Sequence, residues 1–278
     1  MSRRLPLVAA LAVAAGGCAH ALGPVDTGSA LGSANSADAD PAAAEILMLE
    51  AAAAFARRPE LAPVLEAEQL WLQAATTDAT DSAPIIGAVQ TQVWLAEHHP
   101  DAERRKDLAS ESVSTAQWCS RRDPAEPSCS YWLALAVGVQ ANQKRSTADD
   151  GLKVMVRALN SAIERAEQTD HAGPHRVLAL VLLRAPGWPV GPGDPDSALD
   201  HARRAVELFP DFAPNWLALG EAMRDTDQTE PSLAAYRCAL RAANAQAEHP
   251  DSSSWIEEAN AALAGVATIA GDCPAASQ

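Results

Sequence analysis

The chain has 278 residues, a formal charge of −15 and a pI near 4.8, which disfavours direct contact with nucleic acid or an anionic membrane face. Apolar residues make up 48% and aromatics only 4%; with alanine dominant and leucine at helical spacing, that points to an all-α fold. The length suits one large domain or two small ones.

In chain order, Ser2-Arg3-Arg4 is a short basic segment, and Leu5–Ala15 is apolar but too short to span a bilayer. The run ends in Ala15-Gly16-Gly17-Cys18, small residues before a cysteine as in a bacterial lipobox. Residues 1–18 therefore read as a signal peptide, with Cys18 the lipidation site. Residues 19–40 are rich in Gly, Ser, Ala and Asp and read as a flexible tether. An outer-membrane, periplasm-facing lipoprotein is the expectation, touching the membrane only through this anchor.

Eleven helices follow. The first is expected from Pro41 to Arg57 with Ile46, Leu47, Leu49 and Ala53 on its apolar side; Pro59 ends it. Glu60–Thr76, Pro84–His98 and Asp101–Cys119 come next, the third ending at His98-His99-Pro100. The fifth, Ser130–Asn142, places Trp132, Leu135, Ala136 and Val139 at W-x2-L-[GA]-x2-Φ spacing, the start of a tetratricopeptide repeat. The sixth, Thr147–Gln168, opens on Ser146 with Asp149 three residues on, a capping signal.

The clearest repeat lies further on. Trp216, Leu219, Gly220 and Met223 fill the first helix of a tetratricopeptide hairpin, and Ser232, Tyr236 and Ala239 the second. The hairpin before it uses His175, Leu178, Ala179 and Leu182, then Ala198, Ala202, Ala205 and Pro210, but Ala198 arrives seven residues late. The extra length falls in Ala185–Gly193, a Pro/Gly-rich loop around Trp188; Asp194-Pro195 then caps the next helix. A last helix, Ser252–Val266, is the cap a solenoid end needs, and residues 271–278 are a tail. The fold expected over 41–270 is an all-α, tetratricopeptide-like solenoid of about five helical hairpins plus a C-terminal capping helix.

Four cysteines remain after Cys18. Cys119 and Cys129 flank a short loop between two helices, and Cys238 on a helix and Cys273 in the tail form a second candidate pair, with a buried free thiol at Cys238 as the alternative. No phosphate loop, zinc spacing, nucleophile elbow or Cys/His arrangement is present. His171 and His175, four apart, are split by Gly173-Pro174 and read as a polar helix start. The expectation is a binding protein, with no catalytic residues, metal or cofactor. Its candidate contacts are Trp188, Arg176 and Trp132. Trp188 either lines a ligand cavity or partner surface or packs over its own helix ends; Arg176 either holds an anion or pairs with a nearby acid; Trp132 also suits the core.

Four features carry a family resemblance: the lipobox-like Cys18 ahead of an acidic, helical chain, and, within the covered residues of about 41 to 225, Arg58-Pro59-Glu60-Leu61, Tyr131–Gly138 (YWLALAVG), and the span from Gly173-Pro174-His175-Arg176 through Ala185-Pro186-Gly187-Trp188-Pro189 and Gly193-Asp194 to Phe209-Pro210. The chain thereby resembles the T component of tripartite ATP-independent periplasmic (TRAP) transporters, the TatT family. The resemblance implies a periplasmic solute-binding protein as partner and a helical array that forms a channel or cavity for a small organic or apolar ligand, an organic acid among them. A tetratricopeptide scaffold lipoprotein that organises envelope assembly or secretion components, with no small-molecule ligand, is the competing expectation. Self-association into a homo-oligomer is left open. A ligand carrier should enclose an apolar cavity reaching the Trp188 loop; a scaffold should have a packed interior and an open groove.

Overall fold

A computed structural model describes residues 39–264 and Cys273. Cys18, the signal-peptide and tether segments up to residue 38, and the tail other than Cys273 lie outside the described residues.

Eleven α-helices make up the described chain: α1 Pro41–Phe55, α2 Leu61–Thr77, α3 Ala83–His98, α4 Ala102–Arg122, α5 Pro127–Gln143, α6 Ala148–Ala166, α7 Thr169–Arg184, α8 Pro195–Leu208, α9 Ala213–Asp225, α10 Thr229–Ala245 and α11 Ser252–Ala262. Consecutive helices pack as antiparallel hairpins α1/α2 to α9/α10, with α11 laid against α10 and α9. Each odd-numbered helix also touches the next odd-numbered one, which puts α1, α3, α5, α7, α9 and α11 on the inner side of the superhelix.

The packing rule is a small residue on an inner helix facing a large one on its outer neighbour. A Cβ added at Gly220 would stand 2.8 Å from the Tyr236 ring, and one at Gly138 would stand 2.8 Å from Met155. At Gly87 the facing ring is Trp71, 2.5 Å from such a Cβ. Buried alanines extend the same contact along the array, so one apolar core runs from Phe55 to Ala259.

Most helix starts follow local chemistry. Asp40, Asp101, Glu126 and Asp194 accept hydrogen bonds from first-turn amides, and proline stands in the first turn of α1, α3, α5, α8 and α9. Three boundaries or faces differ from the sequence expectation. Helix α5 begins at Pro127, because Glu126 caps it, and α4 runs on to Arg122. Cys119 and Cys129 therefore sit within helix ends, their sulfurs 1.99 Å apart. Helix α6 begins at Ala148 after a 3-10 turn over Arg145–Thr147, so Thr147 and not Ser146 is its N-cap residue. Helix α1 buries Ala44, Ala51 and Phe55, whereas Ile46 and Leu49 are exposed. Its composition is apolar on nearly every side, so periodicity could not choose the face that packs.

The Cys238 and Cys273 sulfurs stand 2.18 Å apart, which joins the tail to α10. Among the described residues no helix is long and apolar enough to cross a membrane.

Candidate functional site

The superhelix turns far enough to bring its two ends together. Arg58, between α1 and α2, donates to both carboxylate oxygens of Asp251, between α10 and α11 (2.9 and 3.3 Å). The same guanidinium donates to Phe55 O (3.0 Å) and lies 4.0 Å from the Phe55 ring centre. The closure leaves a cleft of about 410 Å³ on the inner side. Its walls come from α1, α3, α5, α7, α9, α11 and the turns beside them.

The cleft is aromatic. Phe55, Trp94, Trp132, Phe212 and Trp255 line it, together with His171 and His249. His171 stacks on Phe212 with ring centres 4.3 Å apart; Phe212 meets Trp255 edge-on at 5.3 Å, and Trp255 meets His249 at 4.4 Å. One wall is thus a continuous run of touching rings. Burial pushes the His249 imidazole below its ordinary value, against a smaller upward pull from Asp251.

The floor holds an unusual backbone. Asp170, His171 and Ala172 have φ of 49°, 54° and 61°, three successive non-glycine residues in the left-handed region. Each such residue costs about 1–2 kcal/mol, so the turn needs compensating contacts. Arg176 supplies several: it donates to Asp170 O and His171 O (both 3.2 Å), to Asp170 Oδ2 (2.7 Å) and to Asn215 Oδ1 (3.0 Å). Fully buried Asn215 donates in turn to His171 O, Ala205 O and Phe209 O. The Tyr131 hydroxyl donates to Asp170, and burial, with the Asp170 charge next, raises its pKa well above the usual tyrosine range. Gly173 begins the right-handed part of α7 and packs so closely on the Tyr131 ring that no side chain fits there.

The structure brings two of the three candidate contacts to this cleft. Trp132 and Arg176 both line it. Arg176 takes the acid-paired alternative, with Asp170 as the acid and Phe212 beneath the guanidinium at 5.1 Å. Trp132 belongs to the core and to the cleft wall at once.

Trp188 is elsewhere. It is 90% exposed and Val190 81%, at the tip of the loop between α7 and α8. The expectation that Trp188 could pack over its own helix ends fails for a structural reason: the loop is held by its own backbone. The Val190 and Gly191 amides donate to Gly187 O, the Gly193 amide to Pro186 O, and the Asp194 amide to Leu182 O. These bonds fold the loop on itself and leave the indole facing solvent. Beneath the loop, a groove of about 700 Å³ runs against Leu152, Lys153, Val156 and Arg157 of α6 and shares no lining residue with the central cleft.

Tyr131, Asp170 and Asn215 were not singled out from sequence. A signal existed for two of them: Tyr131 and Asn215 each stand immediately before a repeat-consensus tryptophan, Trp132 and Trp216. Glu97 was missed as well; it faces the cleft from α3, one turn after Trp94. Among the described residues no three His, Cys, Asp or Glu side chains converge as a metal site.

Among solved structures, the chain is similar to TTC0263, a thermophilic TPR protein of Thermus thermophilus. The TM-score is 0.60 at 18% identity, over 80% of this chain and 99% of that one. Two structures of MamA align at 14% identity with a TM-score of 0.44, over 74% and 67% of this chain and 95% and 92% of theirs. No family model matches the sequence, and no curated protein does. The fold is a tetratricopeptide-like helical-hairpin solenoid.

Proposed function

We propose that this protein is a lipid-anchored, periplasm-facing binding protein, held at the outer membrane through Cys18, that partners a TRAP-type solute-binding protein and holds a small organic molecule in its central cleft. One observation carries the reading. Three of the four features that resemble the TRAP T component supply walls or supports of that cleft: Arg58 from the Arg58–Leu61 segment, Tyr131 and Trp132 from Tyr131–Gly138, and Arg176 from the span that opens at Gly173. Segments far apart in sequence that converge on one concave, aromatic-lined space suggest a shared ligand site. Helical-repeat folds of this kind suit protein partners through their extended faces.

The test is in-cell crosslinking of the tagged protein, with mass spectrometry of the captured envelope proteins. Recovery of a periplasmic solute-binding protein is the expected result. Recovery of outer-membrane assembly components alone would overturn the transporter reading in favour of a scaffold. The scaffold reading draws on a different observation. The central cleft does not reach the Trp188 loop, as the cavity of a ligand carrier should, and the Trp188–Val190 tip is exposed away from that cleft, where it could meet a partner. Anchoring is tested separately: Cys18→Ala should release the protein from the membrane fraction, and retention there would overturn it.

A further inference from the structure

We infer that the central cleft selects a small organic cation, its ammonium group held between the Trp94 and Trp132 side chains and the carboxylate of Glu97. This rests on the reading of the cleft as a ligand site and adds the sign of the ligand's charge.

Ion pairing within the cleft points that way. Two guanidiniums line it, and both are committed: Arg58 to Asp251 and Phe55 O, Arg176 to Asp170, Asn215 and two backbone carbonyls. An incoming carboxylate would have to share a guanidinium already held by Asp170 or Asp251, in a space where their negative charges and that of Glu97 oppose it. Three carboxylates line the same space, Glu97, Asp170 and Asp251. Glu97 has no hydrogen-bond or ion-pair partner among the described residues, while the other two are taken. The cleft therefore holds one uncompensated negative charge.

Three further features agree with a cation. The Glu97 side chain is open to solvent at the cleft, yet the surrounding walls strip enough water to raise its carboxyl above the ordinary range, a cost that a bound ammonium would relieve. Aromatic rings line the same space, and the negative π face of such a ring is the known complement of quaternary and primary ammonium groups; His98 covers one face of Trp94 at 4.4 Å and leaves the other. Arg58 over Phe55 and Arg176 over Phe212 already use that interaction within the same walls. The formal charge of −15 draws cations toward the whole molecule and repels anions.

The test uses three probes of one shape and different charge: choline, its neutral isostere 3,3-dimethylbutan-1-ol, and the anion 3,3-dimethylbutanoate. Each is titrated into the full chain at constant ionic strength while tryptophan fluorescence is followed. Choline should bind at least about tenfold more tightly than either isostere, and Glu97→Gln should weaken it by about tenfold. Trp132→Leu should weaken it as well. If the anion or the alcohol binds more tightly than choline and Trp132→Leu abolishes that binding, the cation assignment is overturned and the ligand-site reading stands. Choline binding that Glu97→Gln leaves unchanged also overturns the assignment. If none of the three perturbs the cleft, both readings fall. Glu97 is exposed, so its substitution does not threaten the fold.

Discussion

Arg58 and Asp251, 193 residues apart, form the ion pair that joins the first hairpin of the array to its last turn. The Arg58 side chain is buried, with only 9% of its surface exposed, against 34% for Asp251. A pair this sheltered is worth more than a surface bridge, and losing one partner strands the other. Asp251→Ala should cost about 1–3 kcal/mol. The expected outcome is a lower thermal midpoint and a larger radius of gyration in solution scattering, since the ends of the superhelix part. A scattering profile unchanged by the substitution would show that the ends stay together without the pair.

Gly220 carries a second prediction. Alanine favours the interior of a helix by about 1 kcal/mol over glycine. Here the new methyl would meet the buried Tyr236 ring at 2.8 Å, and the α9/α10 interface would have to open. Overpacking of that kind costs about 1–3 kcal/mol, so Gly220→Ala should be net destabilising in urea unfolding.

The histidine pair between α7 and α8 sets an acid limit. His175 Nδ1 and His201 Nδ1 are 2.9 Å apart. Burial depresses both rings below 6.5, with Glu167 pulling His175 partly back. A depressed histidine binds protons less readily folded than unfolded. Its contribution is therefore whole above the unfolded value of about 6.5 and is lost as pH falls through that value toward the folded one. Stability should fall between pH 7 and pH 5 by at most about 1.4 kcal/mol per pH unit and histidine, seen as a falling melting temperature. His201→Gln should flatten that slope; an unchanged slope would place the acid sensitivity elsewhere.

Glu68 predicts the opposite sign. Burial raises its carboxyl above 4.5, with the hydrogen bond from Gln92 opposing. The neutral acid is the form the fold prefers, so stability is greatest below the unfolded value and declines as pH rises through the folded one. Gln92 Nε2 already donates to Glu68 Oε1 (3.0 Å), while Gln92 Oε1 is buried without a partner. An amide at position 68 can fill both roles. Glu68→Gln should stabilise the protein by about 1 kcal/mol at pH 7.5 and by little or nothing at pH 4.

The hairpin frame was readable because its signals are local. Trp216, Gly220 and Tyr236 lie within one repeat, and Asp194-Pro195 caps α8 through neighbours in sequence. The site was less readable for the complementary reason. The acid beside Arg176 is local, Asp170 six residues before it, and was open to reading as a nearby partner. But the partners of Arg58 and Tyr131 stand 193 and 39 residues away, at Asp251 and Asp170, and Asn215 lies 39 residues from Arg176. No periodicity encodes such distances. The left-handed turn at Asp170–Ala172 was equally silent, since non-glycine residues give no local sign of a positive φ that tertiary contacts impose. Trp188 reads from sequence as lining a ligand cavity or a partner surface or as packing over its own helix ends, and the choice falls to the loop's own hydrogen bonds, which leave it exposed.

That loop also has a use in the laboratory. Its entry and exit are stitched together, Gly193 to Pro186 and Asp194 to Leu182, before the chain rejoins α8. Both stitches lie outside Trp188–Val190, so they hold the ends of the loop together independently of the side chains at its tip. A short epitope or a labelling cysteine placed at Trp188–Val190 should therefore leave the helices undisturbed, giving a permissive attachment point on the outside of a molecule whose interior tolerates very little change.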